Sequence, residues 1–236
     1  MNQTELIVAL DFPNDTTAWN LVQTLKNYPV IYKVGLELYL SAGSSFIKKL
    51  KENKNRVFLD LKFYDIPNTV AKAAQQAALL KADMFTAHLS GGEKMFGAIK
   101  EELKHLPAPI PKTLGVSVLT SFDEREWNTQ TIALSGSASS ISESVIRLIE
   151  KAELWDVDGV VCSAHELIHI RKKYPNLYLV IPGIRPEGSV THDQARVMTP
   201  KQASQEGANA IVIGRPITQA QNPAKITEQV LRDIGQ

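Results

Sequence analysis

The sequence predicts a closed barrel of eight parallel strands wrapped by helices, the (β/α)8 or TIM barrel fold class. Eight short apolar segments alternate with helical segments along the 236 residues, and strands separated by helices pair in parallel. The alternative is an open, doubly wound sheet, but no Gly-x-Gly-x-x-Gly motif follows the first apolar segment to support it. Because no Pro-, Gly- or Ser-rich linker interrupts the alternation, we expect residues 1–236 to form a single domain.

The predicted strands are short runs of β-branched, aromatic and aliphatic residues, which favour extended backbone. Each run ends at, or is followed by, a polar residue, a glycine or a proline, where the turn to the next helix begins. In chain order they cover 6–10, 30–35, 57–61, 83–88, 112–119, 159–162, 177–181 and 210–213.

The predicted helices begin at capping or turn residues. The segment Pro13-Asn-Asp-Thr16 supplies turn and N-cap chemistry for the first helix, and Pro67 suits the first turn of the third. The helices cover 17–27, 44–52, 67–80, 93–103, 139–153, 164–173 and 200–206, with a last helix that ends at Arg232. Two long polar segments, 121–140 and 183–198, are expected to be loops, and long loops in compact domains are usually either functional or disordered.

Composition excludes several classes of protein. With 26 basic and 25 acidic residues the net charge is +1, so no bulk field favours nucleic acid or an anionic membrane. The single cysteine, Cys162, excludes an intramolecular disulfide and fits a reducing compartment, and its apolar surroundings favour a buried thiol over a nucleophile. The sequence contains no signal-peptide pattern and no apolar run of 18 residues, so we expect a cytoplasmic protein without a membrane span.

The most informative stretch is the third predicted strand and the turn after it. Side chains two apart on a strand share a face, so Asp60 and Lys62 point the same way, with Cα atoms about 7 Å apart. Leu59 and Leu61 face the opposite side. An exposed ion pair worth about 0–1 kcal/mol is the plain interpretation of this pair, but a third charge, Asp65, just past the strand favours a site.

Further polar residues follow the other predicted strands. The carboxyl ends of barrel strands converge on the face where catalysis occurs in this fold, so these side chains are expected to gather there. They are Asp11, Lys33, Asp60, Lys62, Asp65, His88, Thr120, Ser121, Arg185, Gln194 and Arg215. Lys33 lies in an apolar strand, where it either extends its ammonium to water or pairs with a carboxylate. Because Asp60 comes from the neighbouring strand, we favour an ordered Lys33–Asp60–Lys62 row.

The histidines do not predict a metal site. His88 has no evident Ser, Cys or carboxylate partner in the sequence, so a hydrogen-bonded structural role is favoured over a general base. His165 and His169 are spaced i, i+4 on a helix, but the zinc-protease pattern is absent. We expect no metal ligands.

The last two predicted strands carry a possible phosphate site. Gly214 permits close approach of the backbone, and Arg215 follows it at the start of a short helix, where these barrels commonly bind phosphate. The loop after strand seven adds Arg185, Gly188 and Gln194. The alternative role of Arg215 is a capping residue at the barrel rim, but the coincidence of these residues favours phosphate binding.

Together these motifs resemble the orotidine 5′-phosphate decarboxylase family of the compact bacterial type, across essentially the whole chain and in the family's order. The most specific is Asp60-Leu-Lys-Phe-Tyr-Asp-Ile-Pro-Asn-Thr69. The others are Leu10-Asp11, Tyr32-Lys33-Val34-Gly35, Leu119-Thr120-Ser121, Pro182-Gly-Ile-Arg-Pro186, Asp193-Gln194 and Ile213-Gly-Arg-Pro-Ile-Thr218.

The resemblance implies decarboxylation of orotidine 5′-phosphate (OMP) to UMP, the last step of UMP synthesis, without metal or organic cofactor. It implies a homodimer whose site is completed by Asp65 and Thr69 of the other subunit. The implied catalytic residues are Lys33, Asp60, Lys62 and Asp65, with Lys62 protonating C6. The implied substrate contacts are Asp11, Lys33, Asp60 and Thr69 for ribose and the reacting carboxylate, Thr120 and Ser121 for the pyrimidine, and Arg185, Gln194, Gly214 and Arg215 for phosphate.

Two alternatives remain open at this point. One is a Mg²⁺-dependent decarboxylase or aldolase of the same barrel superfamily that acts on a sugar phosphate; in such proteins an acidic metal ligand stands where this chain has Lys33. The other is a non-catalytic phosphate-binding barrel, which has little reason to keep two lysines among three carboxylates.

Overall fold

The strands pair in sequence order and close on themselves. The structure, a computed structural model, describes residues 3–187 and 198–236. Eight parallel strands follow the order β1 to β8, and β1 pairs with β8 to complete the barrel. The (β/α)8 fold class predicted from the alternation is therefore confirmed.

Each observed strand begins and ends inside its predicted range or no more than two residues outside it. They are β1 (Glu5–Ala9), β2 (Val30–Gly35), β3 (Arg56–Phe63), β4 (Met84–His88), β5 (Lys112–Val116), β6 (Gly159–Val161), β7 (Tyr178–Ile181) and β8 (Ala210–Ile213). β5 is three residues shorter than expected, because the chain leaves the barrel wall after Val116.

The helices pack outside this wall. They are α1 (Asp15–Thr24), α2 (Leu36–Glu52), α3 (Pro67–Leu79), α4 (Gly92–Lys104), α5 (Glu124–Ser135), α6 (Ile141–Leu154), α7 (Ala164–Lys173), α8 (Pro200–Gln205), α9 (Arg215–Thr218) and α10 (Pro223–Asp233). α2 starts earlier than predicted, and Gly43, with φ 64°, interrupts it close to the predicted start.

The prediction of a loop over 121–140 was wrong, since most of this segment is α5. Asp123 caps α5 by accepting from the backbone N–H of Glu126, whose side chain accepts in return from the backbone N–H of Asp123. None of the α5 residues is buried, so the helix carries no apolar stripe that would reveal it by periodicity.

Alternate residues of the strands divide the core in two. One set packs outward against the helices, for example Leu6 and Val8 of β1. The other set fills the barrel interior, and its buried members are Ile7, Ala9, Ile31, Phe58, Met84, Leu114, Val180, Ala210 and Val212. The barrel is therefore a packed core with no pore, and ligands must bind at an end of it.

Two further predictions concern the single cysteine and the absence of a membrane-spanning helix. Cys162 is fully buried, and burial raises the pKa of its thiol well above the usual range, in agreement with a structural rather than a nucleophilic role. Across the described parts of the chain, we find no helix with the length and apolar character needed to cross a membrane.

Candidate active site

The inward-facing rows of the barrel change from apolar to charged at the carboxyl ends of β1 to β3. Inward-facing Ile31 is followed two residues later by Lys33, and Phe58 is followed by Asp60. Because side chains two apart share a face, the charged residues continue the interior layers upward. The apolar core therefore forms the floor of the site, and the charged groups lie directly above it.

Lys33 bridges two carboxylates. Its ammonium nitrogen lies 2.9 Å from Oδ1 of Asp11 and 3.7 Å from Oδ2 of Asp60. The Lys33 side chain is only 11% exposed, whereas that of Asp11 is 59% exposed. A buried ammonium needs such partners, so the pairing predicted with Asp60 is present, and Asp11 is the closer partner.

Gly35 leaves the space for this bridge. It pairs with Asp60 in the β2–β3 register. A Cβ atom at this position would lie 3.1 Å from the Lys33 ammonium and 3.3 Å from Oδ1 of Asp11. These approaches are tighter than normal contacts, so a side chain here would require the Lys33 ammonium and the Asp11 carboxylate to shift by a few tenths of an ångström.

Asp60 and Lys62 form the second ion pair. The Lys62 ammonium lies 2.9 Å from Oδ1 and 3.0 Å from Oδ2 of Asp60. The side chain of Asp60 is 13% exposed and that of Lys62 is 33% exposed. The Lys33–Asp60–Lys62 row is therefore continuous, with a carboxylate between two ammonium groups and with the second ammonium facing the open end of the barrel.

The backbone that carries this pair departs from the regular strand assumed in the prediction. Lys62 has φ 49°, in the left-handed region that residues other than glycine rarely adopt. The β3–β4 register shifts between Leu59 and Phe63, and the backbone N–H of Lys62 donates to the hydroxyl of Thr86 at 2.9 Å. Asp60 and Lys62 thus meet through a local bulge in β3.

His88 is close enough to Lys62 and Asp60 to be affected by their charges, but the contact that it makes is with an aromatic ring. Its imidazole packs against the ring of Tyr64, with centroids 5.7 Å apart. Within the described residues we find no hydrogen bond to His88, so the expected hydrogen-bonded role is not observed. Burial and the nearby positive charge of Lys62 lower the pKa of His88, against a smaller opposing effect of Asp60, so a neutral ring is favoured at neutral pH.

Asp65 lies on the turn after β3, and Thr69 lies in the first turn of α3. Both are exposed, and Oδ1 of Asp65 accepts from the backbone N–H of Ile66 at 2.6 Å. Pro67 then begins α3, as predicted. In the described structure, neither residue contacts a charged group of its own site.

Exposed apolar side chains occur on the turn that carries Asp65 and on α2. Tyr64 and Ile66 are 63% and 66% exposed, and Leu36 and Leu40 on neighbouring α2 are 56% and 82% exposed. Isolated apolar residues at a surface are ordinary, but four exposed ones on this turn and on α2, which packs against β3, are a feature that protein interfaces often show. We call these four residues the apolar rim.

The predicted phosphate residues lie partly in the described structure. Gly214 follows β8 beside β1, and a Cβ atom on it would be 3.8 Å from Oδ2 of Asp11. Arg215 is exposed, while Nε of Arg185 is buried and has no hydrogen-bond partner among residues 3–187 and 198–236. Gly188 and Gln194 lie outside the described residues.

Thr120 and Ser121 are exposed on the segment that follows β5. Thr120 lines a cavity of about 400 Å³ at the carboxyl ends of β5 to β7, together with Ser163 and Pro182. No hydrogen bond joins either residue to the charged row in the described part of the chain. The structure therefore brings the Lys33–Asp60–Lys62 row and Asp11 into direct contact, and leaves the remaining predicted residues around it.

Sequence reasoning missed two contributors. Thr86 resembles any β-branched residue of a buried strand, and nothing in its sequence context reveals its contact with Asp60. Gly35 was noted only as part of a motif, although a glycine at the end of a strand that carries a buried lysine is itself a signal of close packing.

Metal ligation requires several oxygen, nitrogen or sulfur donors directed at one point. In residues 3–187 and 198–236, no group of three or more His, Cys, Asp or Glu side chains has that arrangement. The carboxylates of the charged row face lysine ammonium groups, which compete directly with a divalent cation.

Comparisons with known proteins agree over nearly the full length. A family model described as orotidine 5′-phosphate decarboxylase / HUMPS family matches residues 4–230. The orotidine 5′-phosphate decarboxylase of Legionella pneumophila (strain Corby) is 46% identical over 231 residues, which cover 98% of this chain and 99% of that protein. The protein of the same name from Pseudomonas fluorescens (strain Pf0-1) is 43% identical over 233 residues, with 99% and 98% covered.

Solved structures lead to the same group. The crystal structure of orotidine 5′-phosphate decarboxylase from Lactobacillus acidophilus matches with a TM-score of 0.84 and 34% identity, over 99% of this chain and 100% of that one. Such coverage leaves no large segment of either chain unmatched. The chain belongs to the orotidine 5′-phosphate decarboxylase / HUMPS family.

Proposed function

We propose that this chain is a carboxy-lyase that converts OMP to UMP and CO2. The observation that carries the proposal is the Lys62 ammonium, held 2.9 Å and 3.0 Å from the two oxygens of Asp60 above the apolar floor of the barrel. Membership of the family and the full-length similarity to proteins named orotidine 5′-phosphate decarboxylase support it. The reaction belongs to pyrimidine nucleotide synthesis, and we propose that it takes place in the cytoplasm.

The chemistry requires a fixed positive charge. Loss of CO2 from C6 of the pyrimidine leaves a carbanion on an sp² carbon, and no carbonyl group is positioned to delocalise the charge. Preorganised electrostatics must therefore stabilise it. Lys62 supplies the cation beside C6 and then the proton that replaces CO2, without a metal or an organic cofactor.

Asp60 has two roles in this proposal. It keeps the Lys62 ammonium oriented toward the substrate, and its negative charge lies close to the substrate carboxylate, where like-charge crowding favours departure of CO2. Lys33 balances Asp60 from the other side. Together with Asp11, Lys33 binds the ribose hydroxyls, since an ammonium and a carboxylate are complementary to the acceptor and donor functions of a diol.

The working unit in this proposal is a homodimer. Asp65 and Thr69 are exposed and therefore accessible to a second subunit, where Asp65 flanks Lys62 and Thr69 reaches the ribose. The apolar rim supports this, because Tyr64 and Ile66 flank Asp65 along the chain, and exposed apolar area of this kind is buried where two subunits meet. Residues of both subunits then complete each site.

The two ends of the substrate bind to the segments that follow the other strands of the barrel. Ser121 and the backbone near Thr120 contact the pyrimidine. Arg185, Gln194, Gly214 and Arg215 bind the phosphate, and the buried, unpaired Nε of Arg185 supports an anion there. Phosphate contacts are remote from the reacting bond, so their binding energy is available to stabilise the transition state.

Replacing Arg215 tests the phosphate site. In Arg215→Ala we expect kcat/KM for OMP to fall about 10- to 100-fold, mainly through KM, because a charge-assisted contact to phosphate is lost. Steady-state kinetics on OMP and on orotidine, which lacks the phosphate, measure this, and the small kcat/KM for orotidine is expected to stay unchanged.

Arg232→Ala is the matched control, since Arg232 is exposed on α10 and pairs there with Glu228. It is expected to behave as the wild type. An unchanged kcat/KM for OMP in Arg215→Ala would remove Arg215 from the phosphate site.

A chelator assay separates the proposed reaction from the Mg²⁺-dependent alternative. The Lys33 ammonium contacts both Asp11 and Asp60 and would repel a divalent cation, so OMP turnover is expected to be unaffected by EDTA. The measurement is the decrease in OMP absorbance before and after dialysis against EDTA. Activity that disappears with EDTA and returns with Mg²⁺ would contradict the proposal.

A further inference from the structure

Thr86 is a buried polar residue that the proposed mechanism does not yet use. It lies in the middle of β4 with no exposed surface. Its hydroxyl accepts a hydrogen bond from the backbone N–H of Lys62 at 2.9 Å and lies 3.0 Å from Oδ1 of Asp60. The hydroxyl therefore contacts both members of the ion pair that carries the proposed function.

The directions of these two hydrogen bonds are fixed by chemistry. A backbone N–H can only donate, so the Thr86 hydroxyl must accept from Lys62. An ionised carboxylate can only accept, so the single hydroxyl proton must go to Asp60. Both bonds are satisfied by one orientation of the hydroxyl, and a β-branched side chain has few rotamers with which to leave it.

The bulge in β3 explains why Lys62 needs a side-chain partner. Leu59 pairs with Phe85 and Phe63 pairs with Ala87, so three β3 residues stand opposite Thr86 alone. Regular ladder bonding is therefore broken at Lys62, whose φ of 49° is a strained conformation for a residue that is not glycine. The Thr86 hydroxyl replaces the missing ladder acceptor and stabilises the left-handed backbone.

We propose that Thr86 is a positioning residue for decarboxylation: by bonding the backbone of Lys62 and the carboxylate of Asp60 together, it fixes the ammonium–carboxylate pair at the reacting carbon. The inference rests on the proposed function, because it concerns the same site. Thr86 does not touch the substrate; it acts through Lys62 and Asp60. Its loss should therefore lower the rate of the chemical step more than substrate binding.

Three variants of Thr86 test this. Thr86→Val has nearly the same shape but cannot accept from Lys62 or donate to Asp60. Thr86→Ser keeps both functions with less rotamer restriction. Thr86→Ala removes the hydroxyl without adding bulk and carries the test if the valine variant does not fold. The control is Thr227→Val. Thr227 is also fully buried, but it lies on α10, and its hydroxyl has no hydrogen-bond partner among the described residues.

The kinetic readout is the split between kcat and KM for OMP, together with the Kd of UMP. We expect Thr86→Val and Thr86→Ala to lower kcat about 10- to 100-fold, because small misplacements of reacting groups have effects of that size. KM and the UMP Kd are expected to stay within about threefold of the wild type, since the phosphate and ribose contacts are kept. Thr86→Ser is expected to recover most of kcat, and Thr227→Val to match the wild type.

A crystal structure of Thr86→Val supplies a readout that does not depend on activity. We expect Lys62 to leave its left-handed conformation or to separate from Asp60. Wild-type kcat in Thr86→Val or Thr86→Ala, a loss confined to KM, or a serine variant as slow as the valine variant would overturn the inference. An unchanged Lys62–Asp60 geometry in the variant structure would overturn it even if the wild-type protein proved inactive on OMP, an outcome that would refute the proposed function separately.

Discussion

Lys62→Ala is expected to abolish OMP turnover, with kcat/KM lowered by at least about 10⁴-fold. The substitution removes both the cation that stabilises the C6 carbanion and the proton donor, and each effect alone is worth about 10²- to 10³-fold or more. The remaining lysine of the row cannot substitute, because the Lys33 ammonium is held between Asp11 and Asp60 on the far side of the carboxylate. Steady-state and single-turnover assays with OMP measure the loss.

The fold is expected to survive this change. Lys62 is partly exposed at the open end of the barrel, and the apolar layers below it are untouched. Lys72→Ala is the control, since Lys72 is an exposed lysine of α3 paired with Glu102. Circular dichroism and gel filtration should be the same for wild type and both variants. Near-normal turnover in Lys62→Ala would refute the role assigned to this residue.

Asp65→Asn is expected to have the second largest effect, lowering kcat/KM by about 10²- to 10³-fold. The amide keeps the size of the side chain and can still accept from the backbone N–H of Ile66, so local structure should be kept. What is lost is the negative charge that flanks Lys62 in the partner subunit. Kinetics on the purified variant measure the effect, and gel filtration checks that its assembly is unchanged.

A heterodimer of the two inactive variants tests whether Asp65 acts across the interface. If Lys62→Ala and Asp65→Asn subunits are co-expressed with different tags and purified as a mixed dimer, one of its two sites contains an intact Lys62 and an intact Asp65. We expect about half of the wild-type activity per dimer, because a two-fold interface exchanges residues reciprocally. A mixed dimer as inactive as its parents would mean that Asp65 serves its own subunit.

The barrel itself was predictable from the sequence because its signals are local. Each strand is a short apolar run, and parallel closure follows from the eightfold alternation with helices. The prediction failed for α5, whose only signal was the capping pair of Asp123 and Glu126; with no buried residue, the helix lacks the periodicity that reveals amphipathic helices.

The charged row was partly predictable. The pairing of Asp60 with Lys62, and the need of Lys33 for a carboxylate, follow from strand periodicity and from the cost of burying a charge. The left-handed backbone of Lys62 was not predictable, because it depends on a register shift against β4. For the same reason Thr86 was missed, since its role exists only once β3 and β4 are paired.

The remaining site residues stay predictions. Asp65 and Thr69 face solvent in a single chain, so their proposed roles depend on a second copy. Thr120, Ser121, Arg185 and Arg215 lie on segments around the row, and the resemblance to the family, rather than contact geometry, assigns them to the substrate. Gln194 lies outside the described residues.

The central claim is that this chain decarboxylates OMP with a lysine held against a carboxylate. The most direct measurement is the decrease in OMP absorbance after purified protein is added, with the formation of UMP followed by chromatography and Lys62→Ala as the blank. We expect one UMP for each OMP consumed by the wild type and no conversion by the variant. Unchanged OMP in the presence of folded wild-type protein would contradict the account.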